Sequence, residues 1–168
     1  DRRRERRPSR RPVAMVAAQA EFWYAGDLER AEAITHEALD RFPDDPSDTL
    51  GAARAELIAN LALFVALAGQ FERGLSLSRP LLDSGPGPVL IRASVAAANA
   101  LGALGRYEEG MAALDRAVAV FGTIGQEAIS LSQRVVASVR VVGVVWSGEL
   151  DAADAAAATS VSEASNEI

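Results

Sequence analysis

Apolar and polar positions follow a helical period along four successive pairs of segments. The first segment of each pair is the more apolar, which predicts helices over 13–25, 49–68, 88–104 and 124–147. The second segment is amphipathic, which predicts helices over 28–42, 70–83, 106–121 and 149–162. A glycine separates the two members of every pair. The pattern therefore predicts an all-α chain of four antiparallel helical hairpins.

A short phrase surrounds each of these glycines and recurs four times, as YAGDLERAEA, LAGQFERGLS, ALGRYEEGMAALDRA and WSGELDAADA. The glycines are Gly26, Gly69, Gly105 and Gly148, and their separations are 43, 36 and 43 residues. The residue two positions later is large and apolar: Leu28, Phe71, Tyr107 and Leu150. The residue five positions later is small: Ala31, Gly74, Gly110 and Ala153. A repeat of 20–50 residues is typical of solenoid arrays.

Each position of the phrase has a physical role at a joint between two helices. The glycine tolerates the left-handed backbone that ends a helix. An acid at the third position (Glu29, Glu72, Glu108, Asp151) meets the positive end of the next helix dipole. The large residue starts a buried stripe, and the small one lets the helices approach. We expect repeat units at about 13–43, 48–84, 87–122 and 124–163 that bury their apolar faces against their neighbours.

The segments between units break the helices, and one segment inside a unit leaves two structures open. FPDDPSD (42–48) and SGPGP (84–88) contain proline and capping residues, and VFGTIG (120–125) is a softer break. RVVASVRVVGVVW (134–146) is rich in valine, which favours a strand. The repeat register instead favours the first helix of the fourth unit.

Composition excludes several kinds of chemistry. The chain has no Cys and no Lys, and His36 is its only histidine. These absences exclude disulfides, a Walker-A phosphate loop, Schiff-base chemistry and a multi-histidine metal site. Paired acids recur in every unit, which indicates capping and surface roles, and the prolines of SGPGP favour a linker over a phosphate-binding turn. We expect no catalytic residue, no metal and no cofactor.

Charge is distributed unevenly along the chain. Residues 1–12, DRRRERRPSRRP, carry seven arginines against two acids, a net charge of +5, within a total of −6. The acidic remainder would repel nucleic acid. The arm itself is open to three interpretations, as a linker, a contact with a partner domain or a nucleic-acid tail, and we favour a disordered basic linker followed by a domain at 13–168. The sequence has no apolar run long enough for a membrane span and no signal peptide, so we expect a cytoplasmic fragment of a larger protein.

These residues resemble the tetratricopeptide-repeat (TPR) class. The resemblance rests on the first unit (Gly26, Leu28, Ala31, Ala38, Leu39, Pro43) and the third (Gly105, Tyr107, Glu109, Gly110, Leu114, Ala117). It implies a right-handed superhelix of stacked hairpins. The match departs from the class in its long periods and in lacking the Trp-x-x-Leu-Gly pattern.

The alanine- and arginine-rich units NALGALGRYEEGMAALDRAVAVF and VVWSGELDAADAAA also resemble the helical-repeat region of large LuxR/MalT-type transcriptional regulators of actinobacteria. That resemblance implies a non-catalytic region that binds an inducer, a partner protein or a sister subunit and passes the signal to ATPase and DNA-binding modules elsewhere. The alternative is a TPR-like adaptor for peptides or proteins, unrelated to transcription.

The TPR resemblance also implies where a partner would bind. In that class the first helix of each hairpin lines a concave groove, and the corresponding residues by offset from each glycine are Trp23, Glu56, Arg92, Asn99 and Ser138. Arg92 and Asn99 lie one heptad apart and are the only pair that could anchor a carboxylate. The alternative is that they are ordinary solvated helix residues.

Overall fold

A computed structural model describes residues 10–41, 48–83, 87–120 and 126–165. In these ranges the chain is all-α, as predicted, with eight α-helices and no strand. The helices are α1 (Arg10–Ala20), α2 (Leu28–Asp40), α3 (Asp48–Leu67), α4 (Phe71–Ser78), α5 (Gly87–Ala103), α6 (Tyr107–Ala119), α7 (Gln126–Ser147) and α8 (Leu150–Ser165). A π-helical turn, Glu21–Ala25, follows α1, and a 3₁₀ turn, Arg79–Leu81, follows α4.

The chain divides into two compact units, Asp1–Leu57 and Ile58–Ile168, with the boundary inside α3. In the first unit, α1 packs against α2. The second unit contains the end of α3 and all of α4 to α8. Helix α1 begins at Arg10, three residues before the predicted start of the folded region. Most residues of the predicted breaks, at 42–47, 84–86 and 121–125, lie outside the described residues. Residues 1–9 of the predicted basic linker also lie outside them.

The four repeat glycines form the helix joints that their spacing predicts. Their φ angles are 69° at Gly26, 85° at Gly69, 75° at Gly105 and 84° at Gly148, and no other residue in the described ranges has a positive φ. At Gly105 the amide donates to the Gly102 carbonyl at 3.0 Å, and the Arg106 amide donates to the Leu101 carbonyl at 2.8 Å. This pair of hydrogen bonds is the Schellman motif, and it satisfies carbonyls that the end of α5 would otherwise leave unpaired.

The small residue after each glycine is buried at all four joints. A Cβ built on Gly74 would lie 2.8 Å from the Cβ of Ala66, and one built on Gly110 would lie 3.2 Å from the Ala98 carbonyl oxygen. At Gly74 and Gly110 the second helix therefore closely approaches the first. The acid at the third position lies in the first turn of the second helix in all four copies.

The large residue of the phrase behaves differently in the last copy. Leu28, Phe71 and Tyr107 are half-buried, whereas Leu150 is exposed. The prediction that Leu150 starts a buried stripe is therefore wrong. Tyr107 lies against α7, since its ring is 3.4 Å from a Cβ built on Gly143. Within the described residues no helix follows α8, so nothing covers Leu150 in the same way.

Helix α5 is the most buried element of the second unit, with twelve of its residues buried, most of them alanine or valine. It packs against α4, α6 and α7. One core cluster joins it to α3, α4 and α6 through residues such as Ala66, Leu75 and Ala97. A second cluster joins it to α6 and α7 through Leu114 and Val136. A helix surrounded in this way is apolar over most of its surface, and the polar exceptions in α5 include Arg92 and Asn99.

The valine-rich segment 134–146 is helical, because it lies inside α7. Its buried residues Val136, Gly143 and Val144 recur at seven and eight positions, which is a helical stripe. Packing against α5 and α6 thus outweighs the local strand propensity of valine. Helix α4 is shorter than the predicted helix over 70–83. The α-helix stops at Ser78, because Pro80 lacks the amide hydrogen that would continue it.

Candidate functional site

The predicted groove positions are distributed over both units of the chain. Trp23 and Glu56 belong to the first unit, and Arg92, Asn99 and Ser138 to the second. Trp23 and Ser138 are exposed, and Glu56 is half-buried. Only Arg92 and Asn99 share a helix, α5, and their spacing of seven positions, about two helical turns, places both on one face.

Asn99 is more buried than a groove residue that contacts a partner would be. Its side chain is 9% exposed, and its Nδ2 donates to the Val95 carbonyl oxygen at 2.9 Å. The amide is thus engaged with its own helix. That bond uses one of the two Nδ2 hydrogens and leaves the other, together with the acceptor Oδ1.

Arg92 keeps hydrogen-bonding capacity that the described residues do not use. The residue is half-buried, and its Nη1 is buried without a hydrogen-bond partner in that part of the chain. A guanidinium carries five N–H donors in a fork that matches a carboxylate. Nη1 is therefore an unused donor on a predicted groove residue, but the atom itself is buried, as Asn99 is.

A second candidate site, which the sequence did not predict, is a cleft of about 310 Å³ in the second unit. Its lining comes from α4 and the turn after it, from α5 and from α6. The floor is apolar and the rim carries two arginines and two acids; the lining residues are Leu75, Arg79, Leu82, Asp83, Leu101, Glu109, Ala112, Ala113 and Arg116.

The charges on the rim are held in exposed pairs. Arg116 Nη1 lies 3.4 Å from Asp83 Oδ1. Arg106, just outside the cleft, donates to both carboxylate oxygens of Glu109, at 2.7 and 2.6 Å. This hydrogen bonding lowers the pKa of Glu109, as do the charges of Arg106 and Arg79, and it raises the pKa of Arg106.

The Arg79 guanidinium is the rim charge with the least local compensation. Within the described ranges it forms no hydrogen bond or close ion pair, although its charge acts on Glu109. The rim as a whole carries two basic and two acidic side chains above an apolar floor, so its formal charges cancel.

Sequence reasoning missed the cleft because its residues come from different repeat units. Leu75 and Arg79 belong to the second copy of the repeat, whereas Glu109 and Arg116 belong to the third copy. Their only sequence signal is that Arg79 and Arg116 are basic residues near the ends of predicted helices. That signal does not indicate which helices lie side by side.

The described residues show no metal-binding group, since no three His, Asp or Glu side chains there are placed to hold an ion. None of the helices in the described ranges combines the length and apolar character that a membrane crossing requires. Comparisons with protein-family models, with curated proteins and with solved structures find no match to this chain.

Proposed function

We propose that the chain is a non-catalytic interaction region in which four TPR-like helical hairpins stack as a right-handed solenoid. The observation that carries the proposal is the set of four glycine joints. Each has a positive φ and is followed, five positions after the glycine, by a buried small residue. Arrays of this kind present extended surfaces for partners, because each unit contacts only its neighbours.

Packing between the third and fourth copies supports the stacked arrangement. Trp146 of α7 lies against Gly102 of α5, where a Cβ would be 2.8 Å from its Cζ3 atom. A Cβ built on Gly143 of α7 would lie 2.8 Å from the Met111 methyl carbon of α6. On the surface, Arg140 donates to Asp115 at 2.6 Å. Successive units thus meet at glycines that leave room for a large side chain.

We further propose that this region belongs to a LuxR/MalT-type transcriptional regulator that acts in the cytoplasm. The support is the similarity of its long alanine- and arginine-rich units to those of that class. The region would bind a partner protein, a sister subunit or a small-molecule inducer, and the cleft beside Arg79 is the surface for the inducer. A ligand that binds one arrangement of the array more tightly would shift the population toward it.

The coding sequence on both sides of this region tests the regulator proposal. A nucleotide-binding loop upstream and a helix-turn-helix downstream are the expected result. A kinase, a protease or a membrane segment joined to the region would contradict it.

The second candidate function is a peptide-binding adaptor, and the half-buried Arg92 at a predicted groove position is the residue that supports it. The probe is a labelled acidic peptide made with a free and with an amidated carboxyl terminus. If Arg92 holds the carboxylate, the free peptide binds more tightly, and Arg92→Ala removes the difference without lowering the melting temperature.

Arg79→Ala is the matched control for that experiment, because it removes a guanidinium from the cleft and leaves the groove intact. Equal binding of the two peptides to the unmodified chain would contradict the adaptor function. Loss of the preference in Arg79→Ala, with Arg92→Ala unaffected, would assign the carboxylate to the cleft instead.

A further inference from the structure

The cleft of the second unit lies between the second and third copies of the repeat. Side chains from α4 and the turn after it form one wall, and side chains from α5 and α6 form the rest. On its floor, Leu75, Leu101 and Ala113 are at most 8% exposed. The volume of about 310 Å³ is near the lower end of the range for small-molecule sites. Its size and apolar floor therefore fit one small molecule with an apolar part.

The charged rim is a property of this cleft and not of helix stacking. The second unit contains one other interface of the same kind, between the third and fourth copies. Aligned on the repeat glycines, the floor positions stay apolar there: Leu75 corresponds to Met111, Leu101 to Val144 and Ala113 to Ala156. Of the four rim positions only one stays charged: Arg79 corresponds to Asp115, Asp83 to Ala119, Glu109 to Ala152 and Arg116 to Thr159. Stacking thus accounts for the floor and leaves the four rim charges unexplained.

Ion pairing between the copies does not account for the rim either. The contact between Arg116 and Asp83 joins two exposed side chains at 3.4 Å, and an exposed pair of this kind contributes little to stability. Arg79 forms no hydrogen bond or close ion pair within the part of the chain that the structure describes, although its charge lowers the pKa of Glu109. Its donors are therefore open to a ligand.

The signs of the rim charges indicate the kind of ligand. Each wall carries one basic and one acidic residue, since Arg79 and Asp83 come from the second copy and Glu109 and Arg116 from the third. A ligand with a single charge would be attracted by two of these groups and repelled by the other two. A ligand that carries a positive and a negative group close together can meet the opposite charge with both.

One acid and one base of the rim retain capacity for such a ligand. Asp83 is 83% exposed, and its 3.4 Å contact with Arg116 is long for a charge-assisted hydrogen bond. Glu109, in contrast, accepts hydrogen bonds from Arg106 on both carboxylate oxygens. Asp83 is thus the acid available to an ammonium group, and Arg79, four positions before it in the chain, is the base available to a carboxylate.

We propose that the cleft binds a free amino acid with an aliphatic side chain. Arg79 binds the carboxylate, Asp83 binds the ammonium group, and the side chain lies on the floor beside Leu75 and Leu101. Burial of that side chain supplies affinity, and the two charged groups select against simple anions and cations. The proposal rests on the proposed function, in which this cleft is the surface for the inducer, and it names the chemical class of that inducer.

Titration with L-leucine at neutral pH, followed in ¹H–¹⁵N correlation spectra, tests the proposal. The amide signals of Ala112 and Ala113, which line the cleft, should shift and reach saturation. Three probes each lack one part of the ligand: N-acetyl-leucine the ammonium group, leucinamide the carboxylate and glycine the side chain. Each should bind at least about tenfold more weakly than leucine.

Arg79→Gln and Asp83→Asn should each weaken the binding of leucine by about tenfold or more. The matched controls are Arg73→Gln on α4 and Asp154→Asn on α8, because they make the same changes in charge at exposed residues outside the cleft. The controls should bind leucine as the unmodified chain does. Asp83→Asn should leave the weaker binding of N-acetyl-leucine unchanged, since that probe has no ammonium group. Circular dichroism establishes that each variant is folded.

Three results would overturn the proposal. One is the absence of a saturable shift with leucine at concentrations up to about 10 mM. Another is equal binding of leucine and N-acetyl-leucine, which would identify the ligand as a simple anion. The third is binding to Arg79→Gln and Asp83→Asn at the strength of their controls.

The regulator function stands or falls separately, on the coding sequence that flanks this region. Leucine binding by a chain without a helix-turn-helix would keep the assignment of the cleft and contradict the regulator. Failure of leucine to bind, in a chain that has one, would overturn the ligand class alone.

Discussion

Replacement of Gly105 by alanine tests whether the left-handed backbone at the repeat glycine requires glycine, because the added methyl group causes no steric clash there. A Cβ at this position would meet no atom within 4 Å, so the variant causes no clash. The backbone, however, has φ +75°, where a residue with a Cβ is strained. The perturbation therefore acts on the joint between α5 and α6 through backbone conformation alone.

The magnitude follows from two opposing terms. An L-residue in the left-handed region costs about 1–2 kcal/mol. Alanine also restricts the unfolded chain, which offsets about 0.4–1 kcal/mol of that cost. The net effect is a loss of about 1 kcal/mol in the free energy of unfolding, or about 2–4 °C in melting temperature for a chain of this size.

Gly51→Ala is the matched control, because a Cβ there also meets nothing within 4 Å, but the residue lies inside α3 without a positive φ. The same substitution should stabilise the chain by about 0.5–1 kcal/mol, since alanine favours helix over glycine. Gly26→Ala, at φ +69°, provides the strained counterpart in the same unit of the chain as Gly51. Gly105→Asn should cost less than Gly105→Ala, because asparagine tolerates the left-handed region.

Urea unfolding followed by circular dichroism at 222 nm measures all four variants. The reasoning predicts opposite signs for Gly105→Ala and Gly51→Ala, with a difference of about 2 kcal/mol. If both variants stabilise the chain equally, Gly105 does not serve as a left-handed helix end and the interpretation of the repeat is refuted.

Three further predictions concern packing and charge in the second unit. Leu114→Ala should lower the free energy of unfolding by about 2–5 kcal/mol, because the side chain is fully buried; a loss under about 1 kcal/mol in urea unfolding would contradict its place in the core. Gly102→Ala should displace the Trp146 ring and shift tryptophan fluorescence to longer wavelength, and an unchanged spectrum would argue against that contact. Glu109→Gln should reduce stability at neutral pH. The folded-state pKa of Glu109 is lowered by its hydrogen bonds from Arg106, so its contribution is present above the ordinary glutamate pKa and disappears as pH falls through the lowered value. A deficit that persists at pH 3 would show that the effect does not come from ionisation.

The local part of the fold could be predicted from the sequence because it repeats. A single glycine could lie in many kinds of structure, whereas four glycines at matching positions of a repeat predict helix ends. All four have a positive φ. The valine-rich part of α7 shows the same advantage. Its composition favours a strand, but its register relative to Gly148 predicts a helix, and the helix is present.

Features particular to one copy could not be predicted in this way. The π-helical turn before Gly26 has no counterpart in the other copies, and its hydrogen bond from the Asp27 amide to the Glu21 carbonyl follows from no sequence rule. Pro80 did carry a usable signal, because proline ends an α-helix, and the predicted helix over 70–83 should have been shortened accordingly.

The cleft and the groove positions depend on contacts between copies of the repeat, and the residues in contact lie far apart in sequence. Arg116 meets Asp83 across 33 positions, and no helical period relates the two. Asn99 was predicted at a groove surface by analogy of offset, yet it is buried and bonded to its own helix. Offsets predict which helical position a residue occupies, whereas its exposure depends on how closely the neighbouring helices approach.

The contact between Gly102 and Trp146 tests the stacking of successive units most directly. It joins α5 to α7 across 44 positions, and the Trp146 Cε3 and Cζ3 atoms lie over the glycine. With only two tryptophans in the chain, the ring protons can be assigned by comparison with Trp23→Phe. A nuclear Overhauser spectrum should show strong cross-peaks from the Gly102 α protons to the Trp146 ring protons and an upfield shift of those α protons. Gly102 α protons at ordinary shifts with no cross-peak to the ring would contradict the stacked array.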